Sequence, residues 1–177
     1  MKSSFLCAAA AASLAMHAST VPSASAAPTK AEILVPIFKS YRAEIECLAR
    51  AIYFEARSES TAGQHAVARV VLNRVDSDYY PDTVCEVVYQ NQHMKNACQF
   101  SFACDGTDLA IQEGPAFEKA MQVASVNFRC DSDCRAWQGD IARSTHYHAD
   151  YVNPFWSAKL ERTGKVGSHI FYYTATR

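Results

Sequence analysis

The chain has no excess of charge of either sign: 17 Lys and Arg stand against 18 Asp and Glu, a formal net charge of −1. This removes bulk electrostatic attraction as a way of finding nucleic acid or an anionic membrane. No apolar run reaches the roughly 20 residues needed to cross a bilayer. No C-x2-C pair and no H-E-x-x-H motif occurs, so the spacings typical of cysteine zinc sites and of helical zinc-peptidase ligands are missing. After the first 27 residues there is no internal repeat and no low-complexity segment. Disorder is excluded by a composition that is 49% hydrophobic and 11% aromatic. A length of 177 residues fits one globular domain and hardly two.

What is present begins with an N-terminus unlike the rest. Lys2 supplies a minimal positive region, Phe5 to Met16 is a short Ala-rich apolar run, and Ala24-Ser25-Ala26 has the A-x-A form of a cleavage site. Residues 1–26 are therefore read as a secretory signal peptide. Residues 27–41 follow as an N-terminal connector with little pattern, and residues 42–177 form the folded domain. Such a leader sends the protein to the periplasm or out of the cell. Its removal takes away Lys2 and no acid, moving the net charge from −1 to −2. It also removes Cys7 from the odd total of 7 cysteines, leaving an even set suited to an oxidising compartment. Six cysteines allow fifteen pairings. The short spacings favour Cys98–Cys104 and Cys130–Cys134, which leaves Cys47–Cys85.

Hydrophobic periodicity predicts a helix over 42–57, with Ile45, Leu48, Ala51, Ile52 and Ala56 on one side and Glu46, Arg50 and Arg57 opposite. Thr61 and Gln64 have capping-box spacing ahead of a second helix, whose core candidates are Ala66, Val67, Val70, Val71 and Val75. A turn over 77–82 precedes a short helix over 83–89. Residues 91–108 are irregular. Gly114-Pro115 opens a helix through Phe128, with Phe117, Met121, Ala124 and Phe128 as its apolar face. The segments STHYHADYV and SHIFYYT read as extended, with a turn over 162–167 between them. The fold class is α+β: a mainly helical domain with a small C-terminal β element.

Glu55 is the sharpest position. It falls in the middle of the apolar stripe, where desolvation raises a carboxyl pKa and can hold the group protonated near neutrality. A general acid for glycosidic cleavage needs that property. The structural alternative is a carboxylate bonded to an arginine or a backbone amide. Glu59, one turn later, is either a second acid or a group that orients the next helix through its first-turn amides. Gln99, Phe100 and Ser101 lie on a loop that a Cys98–Cys104 bridge would stiffen; its polar side chains either bond a ligand at low ordering cost or satisfy backbone groups of the loop.

The C-terminal third is dense in rings: Tyr147, Tyr151, Phe155, Trp156, Phe171, Tyr172 and Tyr173. Such rings cover apolar sugar faces or fill a core, and Ile170 with Tyr172 reads as one buried strand face. Tyr147, His169 and Tyr172 are the candidate cleft residues. His146 and His148 share one side of a strand, and with Asp150 or His169 they raise the alternative of a zinc-dependent peptidase or amidase. A non-catalytic binding module is the third class.

The stretch ARAIYFEARSESTAGQHAVARVVLNRV resembles the glutamate motif of the bacterial cell wall hydrolase family that includes the spore-cortex-lytic enzymes. That family shows an E-A-R-G-E segment, then E-G-Q, then a V-x-N-R-V helix. Here the segments are Glu55-Ala56-Arg57-Ser58-Glu59, Ala62-Gly63-Gln64 and Val71-Leu72-Asn73-Arg74-Val75. Ser58 stands in place of glycine, and Ala62 where an acid is common. The likeness continues through Tyr80-Pro81, Val87-Val88-Tyr89-Gln90 and Gln99-Phe100-Ser101 to Gly167-Ser168-His169-Ile170-Phe171-Tyr172. The resemblance implies a lysozyme-like or lytic-transglycosylase-like fold. It implies an enzyme acting on the bond between N-acetylmuramic acid and N-acetylglucosamine, with Glu55 as acid/base and the 42–177 segment as the catalytic domain. Peptidoglycan glycan strands are the expected partner. No metal and no cofactor is expected, no nucleic acid, and a monomer.

Overall fold

In a computed structural model, the structure describes residues 30–95 and 97–175. The segment read as a signal peptide, with its A-x-A pattern and Cys7, lies outside the described residues. Among the described residues five α-helices come first: α1 (Lys30–Ala56), α2 (Thr61–Val75), α3 (Val84–Val88), α4 (Gly114–Phe128) and α5 (Ser132–Arg135). Three strands follow, β1 (His146–Ala149), β2 (Glu161–Val166) and β3 (His169–Tyr173). Among the described residues no helix is long and apolar enough to cross a membrane.

Helix α1 starts at Lys30, well before the expected 42. Leu34, Ile37, Phe38 and Tyr41 keep helical spacing in the sequence, but Pro36 among them is a helix-breaking signal; the backbone nonetheless remains helical through the segment read as a connector. Beyond that point the stripe behaves as its period requires. Ile45, Leu48, Ala51, Ile52 and Ala56 are all buried. Each large side chain withdrawn from water in this way contributes roughly 1.5–3 kcal/mol. Helix α1 packs on α4, α2 and α3. Phe100 and Phe102 close the same core, and Phe102 stacks on Phe54 at 4.7 Å between ring centroids.

Helix α2 buries residues on more than one face. Ala68 and Val71 join the core around α1, while Ala66 and Val70 pack on Phe171 of the sheet. Its cap differs from the expected one. Ser60 is the N-cap, and its hydroxyl accepts from the Gly63 N–H. The Gln64 amide donates to the carbonyls of Arg57 and Glu59 instead of bracing a capping box. At α3 the Thr83 hydroxyl accepts from the Glu86 N–H and donates to the Glu86 carboxylate.

Helix α4 has the expected limits, but Ala120, Val123, Ala124 and Asn127 are its buried residues. Of the expected face, Phe117, Met121 and Phe128 are only partly buried against the core, because the tight contact with α1 admits small side chains best.

The sheet is antiparallel with order β1-β3-β2. Residues 162–166 belong to β2, so the expected turn shrinks to Gly167 and Ser168, with Gly167 at φ +56°. Both faces of β3 are covered. His169 and Phe171 sit on the face toward α2, while Tyr172 is buried on the other face beneath Trp156. The expected single buried face through Ile170 and Tyr172 is thus replaced by two, since Trp156 supplies an outer cover. The structure contains bridges Cys47–Cys85, Cys98–Cys104 and Cys130–Cys134.

Candidate active site

The C-terminal part of α1 carries Glu55 to the place where the helical core meets β1. Tyr147 stands opposite Phe171 in the sheet register, and its hydroxyl donates to Glu55 Oε2 at 3.2 Å. Two cavities meet at this pair. The smaller, of 340 Å³, is lined by Glu55, Arg74, Gln99, Ser101, His146 and Trp156 among others. The larger, of 790 Å³, is lined by Glu55, Arg57, Ser101, Asp105, Tyr151 and His169 among others. Glu55, Ser101 and Tyr147 belong to both, so the cleft has two lobes with Glu55 at the waist.

Burial is the main force on the Glu55 carboxyl and raises its pKa above the ordinary 4.5. The Tyr147 hydrogen bond opposes this, the Asp105 charge reinforces it, and Arg74 opposes it. Burial, and then the neighbouring Glu55, holds the Tyr147 hydroxyl well above the usual tyrosine range, so it stays a donor. Asp105 moves the other way. Hydrogen bonds from the Thr107 hydroxyl and N–H hold it below the usual aspartate value. The larger lobe therefore contains one carboxyl biased toward protonation and one biased toward charge, the separation that acid/base sites use.

Arg74 escaped the sequence reading. Its side chain is only 3% exposed, Nε donates to Thr145 O at 2.8 Å, and its guanidinium lies 5.4 Å from the Tyr80 and Phe100 rings. The signal was available: Arg74 falls three and four residues after Val71 and Val70, within the apolar side of its helix. His146, beside it, is pushed down to about 4 by burial first and by Arg74 second. A neutral imidazole and a buried cation thus share the smaller lobe with Glu55.

The expected site residues separate into two groups. Gln99 and Ser101 line the cleft on the loop closed by Cys98–Cys104, and Tyr147 and His169 line it from the sheet. Tyr172 lines neither lobe; its hydroxyl is 2.9 Å from His148 Nε2 on the far face of the sheet. Glu59 lines neither lobe as well. Its carboxylate accepts from the Ser168 N–H at 3.3 Å and lies 3.9 Å from His169 Nδ1, so it braces the β2–β3 turn and not the amides of α2.

His146 and His148 do share one side of β1, where both face Trp156 at 5.5 Å. Asp150, their suggested co-ligand, pairs with Lys165 at 2.7 Å. His148 Nδ1 lies 2.9 Å from Ala149 O while Nε2 meets Tyr172, so both ring nitrogens are occupied. Among the described residues no group of three or more His, Cys, Asp and Glu could hold a metal ion. The zinc reading gains no support from this arrangement.

The chain is similar to known proteins over nearly three quarters of its length. The spore cortex-lytic enzyme of Oceanobacillus iheyensis is 28% identical over 128 residues, covering 72% of this chain and 41% of that protein. The spore cortex-lytic enzyme of Bacillus subtilis strain 168 is 27% identical, covering 72% and 37%. The chain thus spans about two fifths of the length of the curated relatives it matches. The catalytic domain of the Bacillus cereus SleB protein superposes with a TM-score of 0.53 at 27% identity, over 73% of this chain and 89% of that one. The catalytic domain of a germination-specific lytic transglycosylase, SleB from Bacillus anthracis, superposes with a TM-score of 0.54 at 29% identity, over 73% and 93%. The profile of the Cell Wall Hydrolase family matches residues 58–172, and the chain belongs to that family.

Proposed function

We propose that this protein is an exported, peptidoglycan-cleaving glycosidase that cuts between N-acetylmuramic acid and N-acetylglucosamine with Glu55 as its single acid/base. The observation that carries the reading is the position of Glu55: half-buried, raised in pKa by desolvation and set at the waist of a two-lobed cleft. The family membership and the lytic transglycosylase activity of the Bacillus anthracis relative point the same way. The germination role stays with those relatives. Peptidoglycan lies outside the cytoplasm, in keeping with export by the N-terminal segment.

In the proposed reaction a glycan strand lies across both lobes with the scissile oxygen over Glu55. The protonated carboxyl donates to the leaving oxygen as the bond to the anomeric carbon breaks and an oxocarbenium-like centre develops. The carboxylate left behind is stabilised by the Tyr147 O–H and the Arg74 charge. It then takes a proton from water, giving a reducing end, or from the muramic 6-hydroxyl, giving an anhydro sugar. The second route needs no carboxylate nucleophile. Gln99 and Ser101 on the bridged loop, with Tyr147 and His169, hold the hydroxyl and N-acetyl groups.

Digestion of purified peptidoglycan, with the fragments read by mass spectrometry, tests the reading. Anhydro-muramic ends identify the transglycosylase route and reducing muramic ends the hydrolytic one. Cut stem peptides with intact glycans overturn the proposal in favour of a peptidase. No release from folded protein overturns it in favour of a binding module.

A further inference from the structure

The connection between β1 and β2 contributes to both lobes. Its start is held firmly. The Asp150 N–H donates to Ser168 O at 2.7 Å, the Asp150 carboxylate pairs with Lys165, and the Val152 N–H donates to Ala149 O at 3.0 Å. Further along, the Ser157 N–H donates to Pro154 O at 3.0 Å. Trp156 packs over His146, His148 and Tyr172 and forms part of the smaller lobe.

Tyr151 is different. It lines the larger lobe, yet it is 83% exposed. Among the described residues it has no hydrogen bond, ion pair or ring contact. A large ring on a fixed backbone, at the mouth of a cleft and contributing nothing to the core, calls for an occupant on its face. The polar groups around that lobe are of mixed sign, Arg57 and Asp105 among them, which suits a neutral ligand better than a charged one.

We infer that Tyr151 stacks on a pyranose ring of the glycan strand in the larger lobe, and so sets affinity for the polymer on one side of the scissile bond while Trp156 serves the other. This rests on the glycan-cleaving reading above. A tyrosine ring covers the apolar C–H face of a sugar while its hydroxyl bonds the edge. With only two side-chain torsions to fix and a backbone already ordered, the stacking carries a small entropic cost. Phe155 is a built-in control. It is 82% exposed on the same connection but lines neither lobe, and the Lys159 ammonium sits 5.7 Å from its ring centre.

The test compares Tyr151→Ala, Tyr151→Phe and Phe155→Ala with the wild type on polymeric peptidoglycan. Tyr151→Ala is expected to raise KM about tenfold with kcat within twofold; Tyr151→Phe keeps most of the affinity, and Phe155→Ala is unchanged. A second arm measures co-sedimentation with insoluble peptidoglycan in a Glu55→Gln background, where Tyr151→Ala should weaken binding by the same factor. An unchanged KM and unchanged sedimentation for Tyr151→Ala overturn the inference, as does an equal loss in Phe155→Ala. If the wild type releases no glycan fragment, the catalytic reading fails, and the sedimentation arm alone decides Tyr151.

Discussion

The hydroxyl of Tyr147 on β1 donates to Oε2 of Glu55 on α1 at 3.2 Å, across a sequence separation of 92 residues. The bond joins the helical core to the sheet at the point where the cleft narrows. It favours the ionised form of a carboxyl that burial pushes toward protonation. In the proposed reaction Glu55 passes through both forms in one turnover, and the bond would serve the second half.

Tyr147→Phe removes that support and leaves the burial. The Glu55 pKa is then expected to rise further. Because the general acid is active when protonated, the alkaline limb of the kcat/KM profile moves to higher pH. Loss of a hydrogen bond to a charged group, about 1.5–3 kcal/mol, should lower kcat by roughly 10- to 100-fold. A pH–rate profile of fragment release checks both; an unmoved limb contradicts the assignment.

Asp105→Asn should act in the opposite direction. The Asp105 charge raises the Glu55 pKa, and its own hydrogen bonds to Thr107 keep it ionised. Removing the charge lets Glu55 ionise more easily, so the alkaline limb moves to lower pH. The same profile, run beside the Tyr147→Phe variant, separates the two effects by sign.

Gly167→Ala tests the role of Glu59. Gly167 has φ +56°, and a Cβ there would collide with the Glu59 carboxylate. The left-handed conformation alone costs an L residue roughly 1–2 kcal/mol. With the displaced carboxylate added, a loss of about 2 kcal/mol or more is expected, which for a domain of this size lowers the melting temperature by roughly 4–8 °C. Differential scanning calorimetry measures it. An unchanged melting temperature would show that the Glu59–Ser168 contact does not hold the turn.

Much of this was legible in the sequence, and the parts that were not have identifiable causes. The stripe on α1 followed from helical period alone, and so did the odd position of Glu55 within it. Gly114-Pro115 marked the start of α4 because a proline at the first helical turn has no N–H to waste. The early start of α1 was hidden by Pro36, a helix-breaking residue within 30–41, although Leu34, Ile37, Phe38 and Tyr41 around it keep helical spacing. The cap at Ser60 was missed by one residue because Thr61 has the same chemistry. Tyr172 was read as a cleft residue because strand alternation predicts that two faces exist but not what covers each, and Trp156 comes from a separate segment. Tyr147 reaching Glu55 is a tertiary fact with no local trace. Arg74 lies on the apolar side of α2 as Glu55 does on α1, so helical period marks both residues.

The account turns on Glu55, and the most direct measurement is fragment release by Glu55→Gln together with its thermal stability across pH. The substitution keeps the shape and removes the proton. Release from purified peptidoglycan should fall below detection. A carboxyl whose pKa is raised on folding costs the folded state stability as pH climbs above its unfolded value of 4.5. The variant should therefore melt at or above the wild-type temperature at neutral pH, with the gain fading toward pH 4. Wild-type rates of glycan cleavage in a folded Glu55→Gln protein would contradict the account.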